Sequence, residues 1–333
     1  MQVDEALWLS RGRTLRSFGE QLQIRCRGLS RPAERAICEF GSERAYARAA
    51  AQMKEHYGIE APVSLVIKCC MKTGMKLVAE ENLQPVRSLP AKGSERVLLE
   101  IDGTMIPTIL AQAKEGDRRK GKSIGYKEMR LAAARDFEKI EPVFAAGFYE
   151  VEEAGAAWSR CALAAGWSID TLTHAVIDGA QWIRSQHDIH FAKFGRALSD
   201  CFHVCEYLAA AFPEADAYKL NKRRLIEERI EPIVRDLREI AAKEDPQESE
   251  LPATNALRYL ENRYDSLFYA HCIKEGLPIG SGMIESGHRY VLQARLKLPV
   301  AWWKQENANA MAKIRAVKNN GQWENLWNKK KAA

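Results

Sequence analysis

Three acidic residues stand in sequence contexts that suit metal-dependent phosphoryl transfer. Asp102 and Asp178 each follow a short apolar run, and Glu285 follows the Gly-Ser-Gly stretch at 280–282. Carboxylate oxygens are ligands that Mg²⁺ prefers, and two such ions about 3.5–4 Å apart can stabilise both the attacking and the leaving oxygen of an in-line displacement. We therefore predict that Asp102, Asp178 and Glu285 form a catalytic metal site.

The two aspartates require a sheet that brings distant segments together. Alternating and apolar patterns predict an antiparallel meander of three strands, then a helix, a fourth strand, a second helix and a fifth strand. The predicted strands are 96–102, 105–110, 125–134, 173–178 and 197–203, and the helices are 152–166 and 181–191. The first and fourth strands are expected to be neighbours, which would place Asp102 beside Asp178 at strand ends, where α/β sheets present their chemistry.

Glu285 requires a different element. Residues 204–275 are rich in helix formers and charge, and residues 281–316 are predicted to form one long amphipathic helix or two. Glu285 is expected in the first turn after the Gly-Ser-Gly stretch, where the helix dipole favours a carboxylate. The spacing therefore predicts an all-helical block between Asp178 and Glu285.

The N-terminal residues 1–92 are predicted to be all-helical. Ser30 to Pro32 begins a helix that Gly41 ends, Ser42 caps a second helix that Gly58 ends, and Pro62 begins a third helix that runs to about residue 81. Three short helices with basic residues outside are typical of a helix-turn-helix unit. A plain helical packing domain is the alternative, and residues 84–94 are the best linker candidate.

Basic residues concentrate at both ends of the chain, whose formal net charge is +6. Clustered positive charge is typical of proteins that bind phosphate backbones, although solvated helix faces and a basic tail explain it equally well. The candidate DNA contacts comprise lysines of the third helix, a basic strip after Glu285, and aromatic residues beside it. These residues are Lys68, Lys72, Lys76, Lys127, Arg289, Arg295, Lys297, Trp302 and Trp303. Core packing is the alternative for the two tryptophans.

Several classes of protein are disfavoured by the sequence. No run of about 18 apolar residues predicts a membrane-spanning helix. The eight cysteines show neither CxxC pairs nor a disulfide framework, which predicts a reduced, cytoplasmic protein. No phosphate-binding GxxxxGK[ST] loop is present, so ATP use is not indicated.

The ordered motifs resemble the bacterial insertion-sequence DDE transposases, in particular the ISKra-type group related to Mutator-like elements. The resemblance covers about residues 30–325 and rests on five segments taken together. They are Ile101-Asp102-Gly103, Tyr126-Lys127-Glu128, Ile177-Asp178-Gly179-Ala180, Asp200-Cys201-Phe202-His203, and Gly280-Ser281-Gly282-Met283-Ile284-Glu285-Ser286. One departure is Tyr126, where the family pattern usually has tryptophan.

The resemblance implies an α/β, RNase H-like catalytic domain with an all-helical insertion. It divides the chain into a helical DNA-binding region (1–92), the first part of the catalytic domain (93–203), the insertion (204–278) and the remaining catalytic part with a basic tail (279–333). It also implies two Mg²⁺ or Mn²⁺ ions per site, with Asp102, Asp178 and Glu285 as ligands.

The activity implied by the resemblance is DNA transposition. The protein would bind the terminal repeats of an insertion sequence, cut a strand as an endonuclease, and join the freed 3′-hydroxyl to target DNA. Its partners would be double-stranded DNA and further copies of itself, in the bacterial cytoplasm at the nucleoid. An RNase H-like nuclease without strand transfer and a non-catalytic DNA-binding regulator remain as alternatives.

The Asp-x-x-His signature of the Mutator-like relatives corresponds to Asp200 and His203. The resemblance implies that this pair lies on the fifth strand, where His203 could contact a phosphate or orient a metal ligand. The alternative is a buried polar pair that stabilises the junction between that strand and the insertion.

Overall fold

The computed structural model describes residues 8–10, 13–15, 29–82, 88–112, 122–245, 247 and 250–328. Part of the predicted linker (84–87), most of the basic loop at 117–123 and the basic tail at 329–333 lie outside the described residues. The chain divides into two compact units. The first comprises Met1–Pro85, Ile106–Lys127 and Tyr290–Ala333, and the second comprises Val86–Met105 and Glu128–Arg289.

The first unit contains the three predicted N-terminal helices: α1 (Arg31–Glu43), α2 (Tyr46–Tyr57) and α3 (Val63–Asn82). The prediction that residues 1–92 are all-helical is wrong at one point, since β1 (Trp8–Ser10) pairs antiparallel with β2 (Arg13–Leu15). Two predicted helix boundaries are confirmed. Ser30 caps α1 by accepting a hydrogen bond from the Ala33 amide, and Gly58 ends α2 in the left-handed region at a φ of 66°.

The sequence predicts that Gly41 ends α1 and that Ser42 caps α2. This prediction is wrong, because both residues lie inside α1. A Cβ atom on Gly41 would lie 2.5 Å from Sγ of Cys70 in α3. Glycine is therefore a packing requirement at this position and not a helix stop. The Ser42 hydroxyl donates to the Glu39 carbonyl within the same helix, so it caps nothing.

A five-stranded mixed sheet has the order β5-β4-β3-β6-β7. Its strands are β3 (Arg96–Gln112), β4 (Lys122–Asp136), β5 (Val143–Gly147), β6 (Leu172–Ile177) and β7 (Ala197–Ser199). The β3–β6 and β6–β7 pairs are parallel, whereas β4–β5 is antiparallel. The strands predicted to carry the two aspartates are therefore neighbours, as expected.

Three predictions about the strands are wrong. The strands expected at 96–102 and 105–110 form the single strand β3, because the Asp102–Gly103 segment continues the strand instead of turning. Asp102 therefore lies inside a strand and not at its end. The sequence also missed β5, and it extended the last strand to 203, whereas β7 ends at Ser199 because Asp200 caps a helix.

Apolar layers cover both faces of the sheet within the second unit. Alternate β3 residues, including Leu99, pack with Trp158 and Phe191 on one face, whereas Leu98 packs with the helices after β7 on the other. This alternation follows from the two-residue period of a strand. Glu100 and Asp102 consequently share the Leu98 face.

The helices of the second unit begin after β5. They are α4 (Val151–Ala164), α5 (Gln181–His190), α6 (Cys201–Ala211), α7 (Ala215–Ile226), α8 (Ile230–Ala241), α9 (Pro252–Glu261), a 3₁₀ turn (Tyr264–Ser266), α10 (Tyr269–Lys274) and α11 (Gly282–Gly287). Every regular element described between β7 and α11 is helical, in line with the predicted helical block.

The segment after α11 is not the long helix that the sequence predicted. A π-helix (His288–Gln293) and a short α12 (Ala294–Leu296) lead to an irregular stretch, after which α13 (Gln305–Asn319) and α14 (Trp323–Asn328) follow. π-Helical turns are rare and occur frequently at functional sites. In the described part of the chain, no helix combines the length and apolarity needed to cross a membrane.

Candidate active site

The register of the parallel strands aligns Asp102 with Asp178. Leu99 of β3 pairs with Ala175 of β6, an offset of 76 positions that also separates Asp102 from Asp178. The same register brings Asp178, the residue directly after β6, opposite Asp102. The structure therefore brings together the first two predicted ligands.

Electrostatics support this closeness. Burial raises the pKa of Asp178 above its ordinary value, and the negative charge of Asp102 raises it further. A hydrogen bond from the Ala180 amide and the positive charges of His203 and Arg263 act in the opposite direction. Two carboxylates this close repel each other when both are ionised, and a cation between them would relieve the repulsion.

Asp102 is held from two sides. Its Oδ1 accepts a 2.6 Å hydrogen bond from the Gly103 amide, and its Oδ2 lies 3.1 Å from Nε2 of the buried His288. A Cβ on Gly103 would meet the Glu128 side chain, which would have to shift. Glu128 therefore lies beside Asp102, and Arg130 pairs with it at 3.2 Å.

Glu285 lies in the first turn of α11, as predicted, and its side chain is exposed. The start of α11 is attached to β3, because Oε2 of Glu100 accepts a 2.6 Å hydrogen bond from the Ile284 amide. His288, three residues after Glu285, reaches Asp102. Two contacts thus connect the Glu285 segment to the strand that carries Asp102.

Glu100 is almost fully buried, and burial raises its pKa to about 8. The negative charge of Asp200 also raises this pKa, whereas the backbone hydrogen bond from Ile284 and the charge of Arg135 lower it. Sequence reasoning missed both Glu100 and His288. The signal that could have found them is their spacing, since Glu100 shares a strand face with Asp102 and His288 follows Glu285 by one helical turn.

Asp200 continues the line of aspartates across the sheet. Ile177 of β6 pairs with Ser199 of β7 at an offset of 22 positions, which also separates Asp178 from Asp200. Asp200 is fully buried, and its Oδ1 accepts from the Phe202 and His203 amides at 2.6 and 3.3 Å.

The second oxygen of Asp200 accepts from both the backbone amide and the hydroxyl of Ser281, directly before α11. These contacts engage the whole carboxylate in helix capping and in anchoring the α11 segment. This arrangement favours the structural alternative for Asp200.

His203 lies on α6 and not on a strand. Its Nδ1 lies 3.5 Å from Glu206, and its positive charge lowers the pKa of Asp178. His203 is therefore close enough to the aspartate pair to influence its charge.

Among the residues that the structure describes, no group of three His, Cys, Asp or Glu side chains is spaced to hold a metal ion. Asp102 and Asp178 are thus brought together, whereas Glu285 does not complete a three-carboxylate cluster with them. The three ligands remain a prediction from the sequence.

The predicted lysines of α3 are exposed, but two of them have acidic partners. Lys72 pairs with Glu34 at 3.2 Å and Lys76 with Glu80 at 3.4 Å, whereas Lys68 has no ionic partner among the described residues. The opposite face of α3 packs so closely on α13 that a Cβ on Gly74 would collide with the Ala310 backbone. The lysine face stays available to a ligand.

Arg295, the central residue of the basic strip predicted after Glu285, is buried and does not face solvent. Arg295 is 2% exposed, donates to the Gly41 carbonyl, and stacks over the rings of Tyr46 and Trp303. It is a buried structural cation, and burial lowers its pKa. Arg289 and Lys297 are exposed.

The paired tryptophans have different environments. Trp303 is buried, and its indole nitrogen donates to the Leu296 carbonyl, which supports the core-packing alternative. Trp302 is 38% exposed and makes an edge-to-face contact with the exposed Tyr126 at 6.0 Å. Lys127, next to Tyr126, donates to Gln305 at 3.0 Å.

The model of the Uncharacterised protein family (UPF0236) matches residues 18–331, nearly the whole chain. The chain belongs to this family. The UPF0236 match includes both aspartates, Glu285 and every residue that contacts them. A comparison with curated proteins finds no match.

Among solved structures, the chain is similar to one described as the Drosophila P element transposase strand transfer complex. The identity is 11%, the TM-score is 0.29, and the match covers 90% of this chain and 80% of that one. A likeness at this level carries no argument about the present chain, so the conclusions below rest on the site itself.

Proposed function

We propose that this UPF0236 member is the DNA transposase of an insertion sequence, with an RNase H-like catalytic domain. The observation that carries the proposal is the register of the parallel strands β3 and β6, by which Asp178, directly after β6, lies opposite Asp102 and feels its charge. The charge of Asp102 raises the pKa of Asp178, so keeping both carboxylates ionised is unfavourable unless a cation offsets their repulsion.

The sheet order supports the RNase H-like part of the proposal. The strand that carries Asp102 is central and adjoins the strand that precedes Asp178, while β4 and β5 extend the sheet on the other side. A helical block then intervenes before Glu285, as the resemblance to DDE transposases implies. The N-terminal helices carry the exposed lysine face proposed to bind terminal repeats.

The donor set suits Mg²⁺ or Mn²⁺, because it consists of carboxylate oxygens, two of them from partly buried aspartates at the sheet. Asp102 and Asp178 would hold the ions, and Glu285 would contribute from the first turn of α11. Divalent cations bound there would polarise the scissile phosphodiester and lower the pKa of an attacking water or 3′-hydroxyl.

The surrounding residues fix the orientation of these carboxylates. His288 and the Gly103 amide each engage one oxygen of Asp102, and the Ala180 amide engages Oδ1 of Asp178. Glu100 and Asp200 hold the start of α11 by accepting from Ile284 and Ser281. Preorganisation of this kind lowers the cost of positioning DNA for in-line attack.

Two steps would use one site. Strand cleavage at an element end is followed by attack of the new 3′-hydroxyl on target DNA, and both are in-line displacements. Joining two element ends requires at least two copies of the protein on DNA, so the active form is proposed to be a dimer or a larger assembly.

The test is a joining assay with the full chain, linear DNA bearing the element ends, supercoiled target DNA and Mg²⁺. The proposal expects covalent products in which a 3′ end is attached to the target. Cleavage without joining would indicate a nuclease that uses the same acids.

The exposed position of Glu285 is the observation that favours a non-catalytic DNA-binding regulator, since no three-ligand cluster occurs among the described side chains. Calorimetric titration of the DNA-bound protein with Mg²⁺ separates these functions. Binding that Asp178→Asn weakens supports the transposase, and absence of binding supports the regulator.

A further inference from the structure

A pocket of about 370 Å³ adjoins Asp178. Its wall includes Asp178, Gly179, Gln181, Arg184, Asn262 and Arg263. Pockets of this size hold small ligands or single groups of larger ones. Asn262 and Arg263 directly follow α9, so the helical block supplies one side of this pocket.

Arg263 and Arg184 differ in how their charges are compensated. Arg184 donates to Asp265 at 2.5 Å and lies 3.4 Å from Asp188, so two carboxylates neutralise it. Arg263 donates to the carbonyls of Gly179 and Tyr259, and no carboxylate among the described residues forms an ion pair with it. Its charge acts on the nearby Asp178, whose pKa it lowers, and an anion in the pocket would lie beside its remaining N–H groups.

The helical block approaches the backbone after Asp178 very closely. A Cβ on Gly179 would lie 2.6 Å from the Tyr259 ring and 2.7 Å from the Arg263 guanidinium. The Arg263 guanidinium also stacks 3.9 Å over the Tyr259 ring, which fixes its plane. A guanidinium that is fixed in this way presents its donors in a geometry that matches phosphate oxygens.

We propose that this pocket binds a backbone phosphate of the DNA strand beside the scissile bond, with Arg263 as its main contact. This inference rests on the proposed function. The helical block would then be part of the substrate site, because it places a cation next to the reacting phosphate. Phosphate contacts position a strand without reading its sequence, which suits an enzyme that must accept varied target DNA.

The test measures fluorescence anisotropy of a labelled DNA duplex with the full chain in Ca²⁺ across a KCl series. Arg263→Ala should weaken binding several-fold and reduce the slope of log Kd against log salt by about 0.9, the value for one phosphate contact. Arg258→Ala is the matched control, since Arg258 is exposed on α9 and is not part of the pocket wall. It should keep the parent slope.

A second pair of variants tests the pocket independently, in case Arg263→Ala fails to fold. Asn262→Asp adds a negative charge to the pocket wall at constant size and should weaken binding, whereas Asn255→Asp, within α9, should not. The proposal is overturned if both pocket variants bind like the parent, or if the parent does not bind DNA.

A DNA cleavage assay in Mg²⁺ distinguishes failure of the phosphate pocket from failure of the proposed transposase function. A parent that binds through Arg263 but never cuts or joins DNA contradicts the transposase and leaves the phosphate pocket standing. A parent that cuts DNA while Arg263→Ala binds normally contradicts the pocket alone.

Discussion

Nε2 of His288 lies 3.1 Å from Oδ2 of Asp102. Since a carboxylate only accepts hydrogen bonds, the ring donates through Nε2 and holds Asp102 in one orientation. His288 follows Glu285 by three residues, directly after α11. One contact therefore joins the strand of the first predicted ligand to the helical segment of the third.

His288→Ala is expected to lower Mg²⁺-dependent cleavage by about 10- to 100-fold, the usual effect of losing a residue that orients a metal ligand. His288→Gln, which keeps a donor, should recover part of the rate. Steady-state cleavage rates at varied Mg²⁺ measure the effect. The exposed His271 gives the control variant His271→Ala, and equal rates for all four proteins would remove His288 from the site.

Glu100 predicts a dependence of stability on pH. Its folded-state pKa of about 8 exceeds its ordinary value of 4.5, so the folded protein binds this proton more tightly than the unfolded chain does. The stabilisation is complete below about pH 4.5 and is lost as the pH rises through about 8, by at most about 1.4 kcal/mol per pH unit.

Glu100→Gln should remove this loss, because glutamine still accepts from the Ile284 amide and carries no charge. Urea unfolding in EDTA at a series of pH values, compared between variant and parent, measures the difference. The variant should gain stability relative to the parent towards pH 9. Exposed Glu95 provides the control Glu95→Gln, and parallel curves for Glu100→Gln and the parent would show that Glu100 does not carry this proton.

Asp200 is predicted to be a determinant of stability. In Asp200→Asn, the side-chain NH₂ group replaces one carboxylate oxygen, so the Ser281 amide and hydroxyl lose their acceptor. Each buried unsatisfied donor costs about 1–3 kcal/mol. We expect a loss of about 2–4 kcal/mol in urea unfolding, and a smaller loss for Ser281→Ala, which removes one of the contacts. Asp170→Asn, at an exposed turn, should change stability by less than about 0.5 kcal/mol. A stable but inactive Asp200→Asn protein would instead favour a direct role at the site.

Asp178→Asn should raise the melting temperature in EDTA, because it removes a buried charge that Asp102 repels while asparagine still accepts from the Ala180 amide. The same change should weaken the stabilisation that Mg²⁺ gives to the parent. Differential scanning calorimetry with and without Mg²⁺ tests both effects. A lower melting temperature in EDTA would show that the Asp178 charge stabilises the metal-free fold.

The sequence predicted that Asp102 and Asp178 lie close together, but it did not predict the residues that contact them. Apolar runs of strand length identified the strands near both aspartates, because burial on both faces of a sheet imposes such runs, and the expected fold made these strands neighbours. The sequence predicts a turn at Asp102-Gly103, yet both residues lie within β3, where the Glu128 side chain packs against Gly103. Contacts of this kind connect distant segments and leave no local pattern.

The same reason explains the missed partners of the site. Glu100 and His288 are ordinary polar residues in the sequence, and their roles depend on where α11 meets β3. Arg295 was assigned to a basic strip by its charge, whereas its burial against Tyr46 and Trp303 depends on tertiary packing. Charge and spacing predict elements and candidate ligands, but they do not predict which cations face solvent.

The central claim is that Asp102 and Asp178, with Glu285, hold the ions that catalyse DNA strand cleavage. The most direct measurement compares Mg²⁺-dependent cleavage of DNA bearing the element ends by the parent, Asp102→Asn, Asp178→Asn and Glu285→Gln, with Asp170→Asn and Glu275→Gln as matched exposed controls. The account predicts loss of cleavage in the three site variants, parent rates in the controls, and unchanged DNA binding throughout. Cleavage at the parent rate by Asp102→Asn or Asp178→Asn would contradict it.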